Sequence, residues 1–190
     1  MSQIDLPEEL KQCVAFHGHL CPGLVIGYWA AKLGMQRLNS GRSSDEELVA
    51  IVENDTCAVD ALQVLTGCTF GKGNLYFHDY GKMVFTFATR SDGRSVRLCL
   101  RPISPPELGD VPEDQRRMHQ IKFMLAHDPL EFFEMKKDAL ARLPSQARIH
   151  GSIPCEECGE MVMSTRLREC GGRHVCIPCD ESTDWEHKGI

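Results

Sequence analysis

Two histidines and a cysteine stand at alternate positions in FHGHLCPG, residues 16–23: His17, His19 and Cys21. Imidazole nitrogen and thiolate sulfur are ligands that suit transition metals. In an extended segment alternate side chains share one face, so we expect these three to point the same way. Pro22 predicts a helix start, and the N-terminus of a helix favours the thiolate form of Cys21. The spacing therefore predicts a metal site.

A second helix start also offers a cysteine. In NDTCAVDALQ, residues 54–63, Asp55 or Thr56 can cap a helix whose first turn holds Cys57. Asp60 follows three residues later on the same helical face. We expect Cys57 to complete a nitrogen and sulfur site that keeps at least one open position and suits zinc, nickel or iron. Cys57 and Asp60 are then candidate catalytic residues, with Asp55 and Asp60 able to orient a ligand or move a proton.

The glycine-rich stretch GCTFGKGN, residues 67–74, allows two interpretations. Its backbone N–H groups and Lys72 could hold an anion, which makes Lys72 a third candidate catalytic residue. The stretch lacks the full phosphate-binding pattern, so it could equally be a turn. Cys68 could be a ligand or a small buried hydrophobe, whereas Cys13 and Cys99 are expected to be buried.

The C-terminal region carries a second ligand pattern. CEEC and CIPC supply two cysteine pairs at the spacing C-x2-C-x17-C-x2-C: Cys155, Cys158, Cys176 and Cys179. Four thiolates with no open position suit a structural zinc, and the metal would supply the folding energy of so short a segment. A knuckle, a hairpin and a following helix predict a treble-clef zinc finger. Cys170 or His174 could replace one ligand.

The elements that must position these residues indicate an α+β fold with a mixed or antiparallel sheet. The pattern predicts a short acidic helix or arm over residues 1–12, helices over 22–38 and 55–65, and a buried strand over 48–54. Residues 75–101 contain LYFHDYG and a hairpin around SDGR, and two further helices are expected over 112–128 and 129–143. We expect a core domain over residues 1–143, a linker over 144–154 and the zinc finger over 155–190.

Charge and composition argue against several protein classes. The net charge is −6 and the isoelectric point about 5.7, whereas nucleic-acid-binding proteins usually present a basic face. No apolar run approaches the ~20 residues that span a bilayer. The polar N-terminus is unlike a signal peptide, so we expect a cytoplasmic protein whose ten cysteines are thiols and metal ligands.

Long, ordered motifs resemble the E-subunit family of formylmethanofuran dehydrogenase. They are FHGHLCPG, ENDTCAVDALQVLTGCTFGKGNL and DYGK, and the resemblance covers roughly residues 13–143. It implies an α+β core, a homodimer and a metal in the core, and some relatives also carry a C-terminal zinc finger. The parent enzyme reduces CO2 to formylmethanofuran in methanogenesis with a tungsten or molybdenum pterin, and the family's members are accessory parts of it.

The resemblance favours a metal-binding accessory subunit of such an oxidoreductase, which would contact molybdopterin or tungstopterin subunits. Nothing in the chain marks a pterin site, and it lacks the clustered cysteines of a ferredoxin. Two alternatives stay open, a stand-alone metalloenzyme and a metal carrier or cofactor-insertion factor. A nucleic-acid-binding zinc ribbon is disfavoured because residues 150–190 hold eight acidic residues and four basic ones.

Overall fold

The computed structural model describes residues 5–105, 112–140 and 142–180. The chain divides into two compact units, residues 1–147 and 148–190. Helices and a mixed five-stranded sheet form the first unit, which confirms the expected α+β class. Among the described residues, no helix is long and apolar enough to cross a membrane.

The helices of the first unit begin and end where the sequence provides signals. They are α1 (Glu8–His17), α2 (Pro22–Leu38), α3 (Ala58–Thr66) and α4 (Glu113–Ala126). Helix α2 starts with a proline at its first position and ends at Asn39, which adopts a left-handed conformation. Most of α2 is buried, so it is the central helix of the unit.

Five strands form one sheet: Leu48–Val52 (β1), Leu75–Phe77 (β2), Val84–Thr89 (β3), Ser95–Leu100 (β4) and Phe133–Lys137 (β5). Their order across the sheet is β2-β1-β3-β4-β5. Strands β1 and β2 are parallel, and the other neighbours are antiparallel. Parallel strands need a crossover connection, and α3 supplies it. The carboxyl ends of β1 and β2 therefore lie at the same edge of the sheet.

The core lies between the sheet and the helices. Alternate residues of β1 join the buried cluster that contains α2 and α3, so this strand turns one face to the helices: Leu48, Ala50 and Val52. Phe85 and Phe87 of β3 are fully buried in the same cluster. So large an apolar core gives the first unit a source of stability that needs no metal.

Two local expectations are wrong. The stretch 129–143 is not a helix, because Pro129–Glu131 is a single 3₁₀ turn and the next residues form β5. Pairing with β4 along the edge of the sheet overrides local helix propensity, and it buries Phe133. The stretch 17–21 is not a uniform extended segment, because α1 continues through His17 and ends at Gly18, where φ is +94°.

The second unit consists of two short hairpins around four cysteines. Strands β6 (Ser152–Pro154) and β7 (Met161–Met163) form one, and strands β8 (Leu167–Cys170) and β9 (Arg173–Cys176) form the other. A 3₁₀ turn over Ile177–Cys179 follows. This arrangement agrees with a zinc finger, and the helix predicted after it lies outside the described residues.

The predicted linker divides between the two units. Residues 144–147 belong to the first unit, where Arg90 donates to the carbonyl of Pro144 and Tyr76 donates to that of Ser145. The backbone N–H of Ala147 donates to Glu46. These contacts tie the start of the predicted linker to the sheet.

Helices α2 and α3 approach so closely that a side chain is excluded at one position. A Cβ atom built on Gly27 would lie 2.0 Å from the carbonyl oxygen of Ala58. One on Gly23 would lie 3.2 Å from Cβ of Cys57, which is tight but tolerable. The absence of a side chain at Gly27 therefore allows the N-terminal parts of the two helices to pack in direct contact.

We expect Gly27→Ala to destabilise the first unit by about 1–3 kcal/mol, because the new methyl group must push α3 away from α2. Urea unfolding followed by circular dichroism measures this change. Gly41→Ala is the control, because a Cβ atom there meets open space. Equal unfolding midpoints for both variants would contradict the close approach.

Candidate metal centres

Three predicted ligands meet in the first unit. Ligand atoms of His17, Cys21 and Cys57 all lie within 4.8 Å of one another, and each residue is partly buried. Nitrogen and sulfur atoms at such separations can bind one metal ion. The structure thus joins the two cysteine-bearing helix starts, which are far apart in the sequence.

Helix geometry positions both thiols. Cys21 is the N-cap of α2, and its Sγ accepts a hydrogen bond from the N–H of Leu24 at 3.4 Å. Cys57 is the N-cap of α3. Both sulfur atoms therefore lie at helix N-termini, where the free backbone N–H groups carry partial positive charge.

Burial opposes that effect at Cys21. Removal from water raises the pKa of this thiol above its ordinary value, although the N–H groups of Leu24 and Gly23 act in the other direction. The N–H groups at the start of α2 therefore act towards the thiolate, as expected, but burial outweighs them at Cys21. A bound cation would reverse the balance, because a coordinating thiol loses its proton.

Asp60 orients the histidine. Nδ1 of His17 lies 2.7 Å from Oδ2 of Asp60, so the ring donates Nδ1–H to the carboxylate. That tautomer leaves Nε2 with a free lone pair, and Nε2 lies 3.8 Å from Sγ of Cys21. A carboxylate that fixes the tautomer of a histidine ligand is a recurrent feature of metal sites.

The other predicted residues have different positions. His19 is exposed, with its ring centroid 4.5 Å from that of His17, and it lies outside the three-residue group. Asp55 is exposed. Lys72 follows the far end of α3 and donates to the carbonyls of Ser43 and Ser44, so the structure does not bring it to Cys57.

Asn54 was not among the predicted site residues, although its side chain forms hydrogen bonds just before the start of α3. It is buried, its Nδ2 donates to the carbonyl of Lys82, and its Oδ1 accepts from both N and Oγ1 of Thr56. The Asn-x-Thr pattern just before a predicted helix was the available signal, because such side chains cap turns and helices. Asn54 therefore connects the loop at Lys82 with the residue before Cys57.

The second group is the cysteine quartet of the finger: Cys155, Cys158, Cys176 and Cys179. Their sulfur atoms all lie within 4.8 Å of one another. Sγ of Cys155 accepts from the N–H of Cys176 at 3.2 Å and from that of Glu157 at 3.4 Å. Backbone N–H donors of this kind support a metal-bound thiolate.

The four thiols are not equivalent without a cation. The N–H groups of Cys158 and Cys176 lower the pKa of Cys155 to about 6. The thiol of Cys179 has a raised pKa, first because of its hydrogen bond with Cys176. Sulfur atoms this close cannot all ionise unless a cation neutralises them, so the quartet fits a divalent metal.

The remaining cysteines have local partners. Cys68 is fully buried, donates to the carbonyl of Leu48 and has a pKa raised to about 11 by burial. Cys13 donates to the carbonyl of Ala61, and its pKa is raised to about 11 for the same reason. In the finger, Cys170 lies in β8 outside the quartet, and His174 faces Glu156.

Comparisons with known proteins place the chain among its relatives. The family described as "FmdE, Molybdenum formylmethanofuran dehydrogenase operon" matches residues 16–146. A probable S-adenosyl-L-methionine-binding protein of Archaeoglobus fulgidus is 28% identical over an aligned region of 201 residues, and the alignment covers 93% of this chain. The chain spans about half of that relative, 54% of its length.

A crystal structure shares the fold. It is that of a tungsten formylmethanofuran dehydrogenase FmdE-like protein from Syntrophus aciditrophicus. The TM-score is 0.67 at 23% identity, and the match covers 94% of this chain and 93% of the other. The family match takes in His17, Cys21, Cys57 and Asp60 together with the whole sheet. The chain belongs to the FmdE family.

Proposed function

We propose that this protein is a metal-binding accessory subunit that works with a molybdenum or tungsten formylmethanofuran dehydrogenase-type oxidoreductase in one-carbon metabolism. One observation carries the proposal: His17, Cys21 and Cys57 converge from three separate elements, with Asp60 already bonded to the histidine. Membership of the FmdE family supports the association with the dehydrogenase.

The donor set defines the chemistry of the core site. Two thiolates and one imidazole suit zinc, nickel or iron and do not suit magnesium or calcium. Three protein ligands leave a fourth position for water or substrate, which is typical of reactive zinc sites and unlike closed structural ones. His19 is exposed and its ring lies beside that of His17, so it is the candidate for a fourth protein ligand.

The protein residues around the site can manage a proton. Asp60 is partly exposed while His17 is largely shielded, with side-chain exposures of 35% and 13%. The carboxylate therefore contacts solvent on one side and the imidazole on the other. Asp60 can fix the tautomer of His17 and accept a proton released from Cys21 or Cys57 when a metal binds.

The finger is assigned a structural zinc and a role in contacts with partner subunits. Its own apolar core consists of Cys155, Val175 and Cys176, with Val162, Cys170 and Cys179 against it. So few side chains cannot stabilise a fold without a metal. Its acidic composition favours a protein surface over nucleic acid.

Two alternatives differ from this proposal in how tightly the core metal is held. A stand-alone metalloenzyme would keep the metal and turn over a small substrate by itself, whereas a carrier would release it quickly to a chelator. The partial burial of all three ligands and the Asp60–His17 bond favour a resident metal. We do not assign S-adenosyl-L-methionine binding to this chain, because the relative's name describes a longer protein of which this chain spans about half.

We expect the purified chain to contain about two transition metal ions and Cys57→Ala about one, because the finger keeps its own ion. Asp60→Asn should retain the core site but weaken its metal affinity roughly ten- to hundredfold. Elemental analysis and competition with a chelator measure both effects. Cys99→Ala is the control, since Cys99 lies outside both ligand groups. Full metal content in Cys57→Ala would refute the core site.

We expect Cys158→Ser to lose the finger zinc and unfold the finger while the first unit stays folded, because the finger has almost no apolar core. Limited proteolysis should then cut within residues 148–180 and leave the first unit intact. Cys170→Ser should behave like the unmodified chain, since Cys170 is outside the quartet. An intact finger after complete removal of zinc would contradict this assignment.

We infer a homodimer from the family resemblance. The apolar residues of α2 are buried within the chain, so they do not themselves require a second copy. Light scattering at micromolar concentration should give about twice the mass of one chain, which is 21.3 kDa. A monomeric mass would overturn the inference.

A further inference from the structure

The loop after β2 lies beside the segment that leads to Cys57, although the two are distant in sequence. Strands β1 and β2 end at the same edge of the sheet; β1 leads through Asn54 to Cys57, and β2 leads into HDYGK, residues 78–82. In sheets with parallel strands, ligands commonly bind beyond the carboxyl ends. This loop therefore lies at the edge of the sheet from which the chain runs to Cys57.

Hydrogen bonds fix this loop against the segment that carries Cys57. The N–H of His78 donates to the carbonyl of Val52, and that of Lys82 donates to the carbonyl of Glu53. The carbonyl of Lys82 accepts from buried Asn54. Two further tight turns, Tyr80 N–H to the carbonyl of His78 and Val84 N–H to that of Lys82, hold the loop in shape.

The last residue of β2 and two side chains of the loop are aromatic or basic. Phe77 pairs with Val52, and paired residues of parallel strands share a face, so Phe77 points to the side of the sheet where α3 begins. Phe77 and Tyr80 are nevertheless 45% and 61% exposed. The ammonium of Lys82 lies 5.7 Å from the centre of the Tyr80 ring. We call Phe77, Tyr80 and Lys82 the aromatic–lysine wall.

The positive charge of Lys82 indicates which class of ligand this wall would bind. Within the described residues, no carboxylate lies in ion-pair distance of the Lys82 ammonium, which is restrained only by the Tyr80 ring. An ammonium group without a counter-charge attracts an anionic group, and exposed rings offer a flat apolar surface to the rest of a ligand.

We propose that the aromatic–lysine wall binds an anionic organic substrate at the core metal site, with its negative group at Lys82 and its planar or apolar part on Phe77 and Tyr80. This inference rests on the proposed function, because it places the ligand beside the metal held by His17, Cys21 and Cys57. It adds the substrate class and the residues that select it.

Benzoate, its neutral isostere benzamide, and acetate serve as probes, titrated calorimetrically into the cobalt-loaded full chain. Benzoate should bind more tightly than either of the others, because benzamide lacks the charge and acetate lacks the ring. Lys82→Gln should weaken benzoate about fivefold and leave benzamide unchanged. Phe77→Ala should weaken benzoate and leave acetate unchanged. A benzoate-dependent change in the cobalt absorption spectrum would locate the ligand at the metal.

Lys136→Gln is the matched control, because Lys136 is an exposed lysine of β5 at the opposite edge of the sheet. Equal benzoate affinity in Lys82→Gln, Lys136→Gln and the unmodified chain would overturn the wall, as would the absence of benzoate binding. If the core takes up no cobalt, the proposed function fails. Calorimetry with benzoate on the metal-free chain then tests the aromatic–lysine wall by itself. Benzoate binding that depends on Lys82 supports the wall, and benzoate binding that does not depend on Lys82 contradicts it.

Discussion

The contact between Gly27 and the backbone of Ala58 is the constraint on which the rest of the first unit depends. Because no side chain separates α2 from α3 at this point, their two N-termini meet, and each brings a cysteine as its cap. A helix pair at ordinary spacing, with side chains between the axes, would hold those thiols several ångströms further apart. One missing methyl group is therefore the condition for a shared metal site.

The two metal groups depend on their surroundings in opposite ways. The core site is built on a large apolar cluster that folds without it, so its ligands are held in place before any ion arrives and can be tuned for reactivity. The finger has three buried residues in its cluster, so a bound ion would take the place of a core. A cation bound to sulfur would therefore occupy a preformed site in the first unit and would stabilise the fold of the second.

Much of this arrangement could be predicted from the sequence, because strong local signals mark it. Pro22 and the cysteine pairs have fixed spacing, and Asp60 lies one helical turn after Cys57, so the α+β class and the pairing of two helix starts followed directly. Longer-range physics decided the rest. Sheet-edge pairing made 133–137 a strand, and the α1 helix extended through His17 because Leu10 and Cys13 bury one of its faces. Lys72 gave no local sign that the carbonyls of Ser43 and Ser44 would engage it.

The position of Cys57 on a crossover connection has a consequence for synthesis of the protein. His17 and Cys21 leave the ribosome almost together. Cys57 approaches them only after α3, which follows β1 and precedes β2 in the sequence, has packed on α2. A histidine and one thiol alone hold an ion weakly, whereas the complete set requires the finished topology. A metal ion would therefore meet the complete set of ligands only in the folded protein, whose geometry can discriminate between ions.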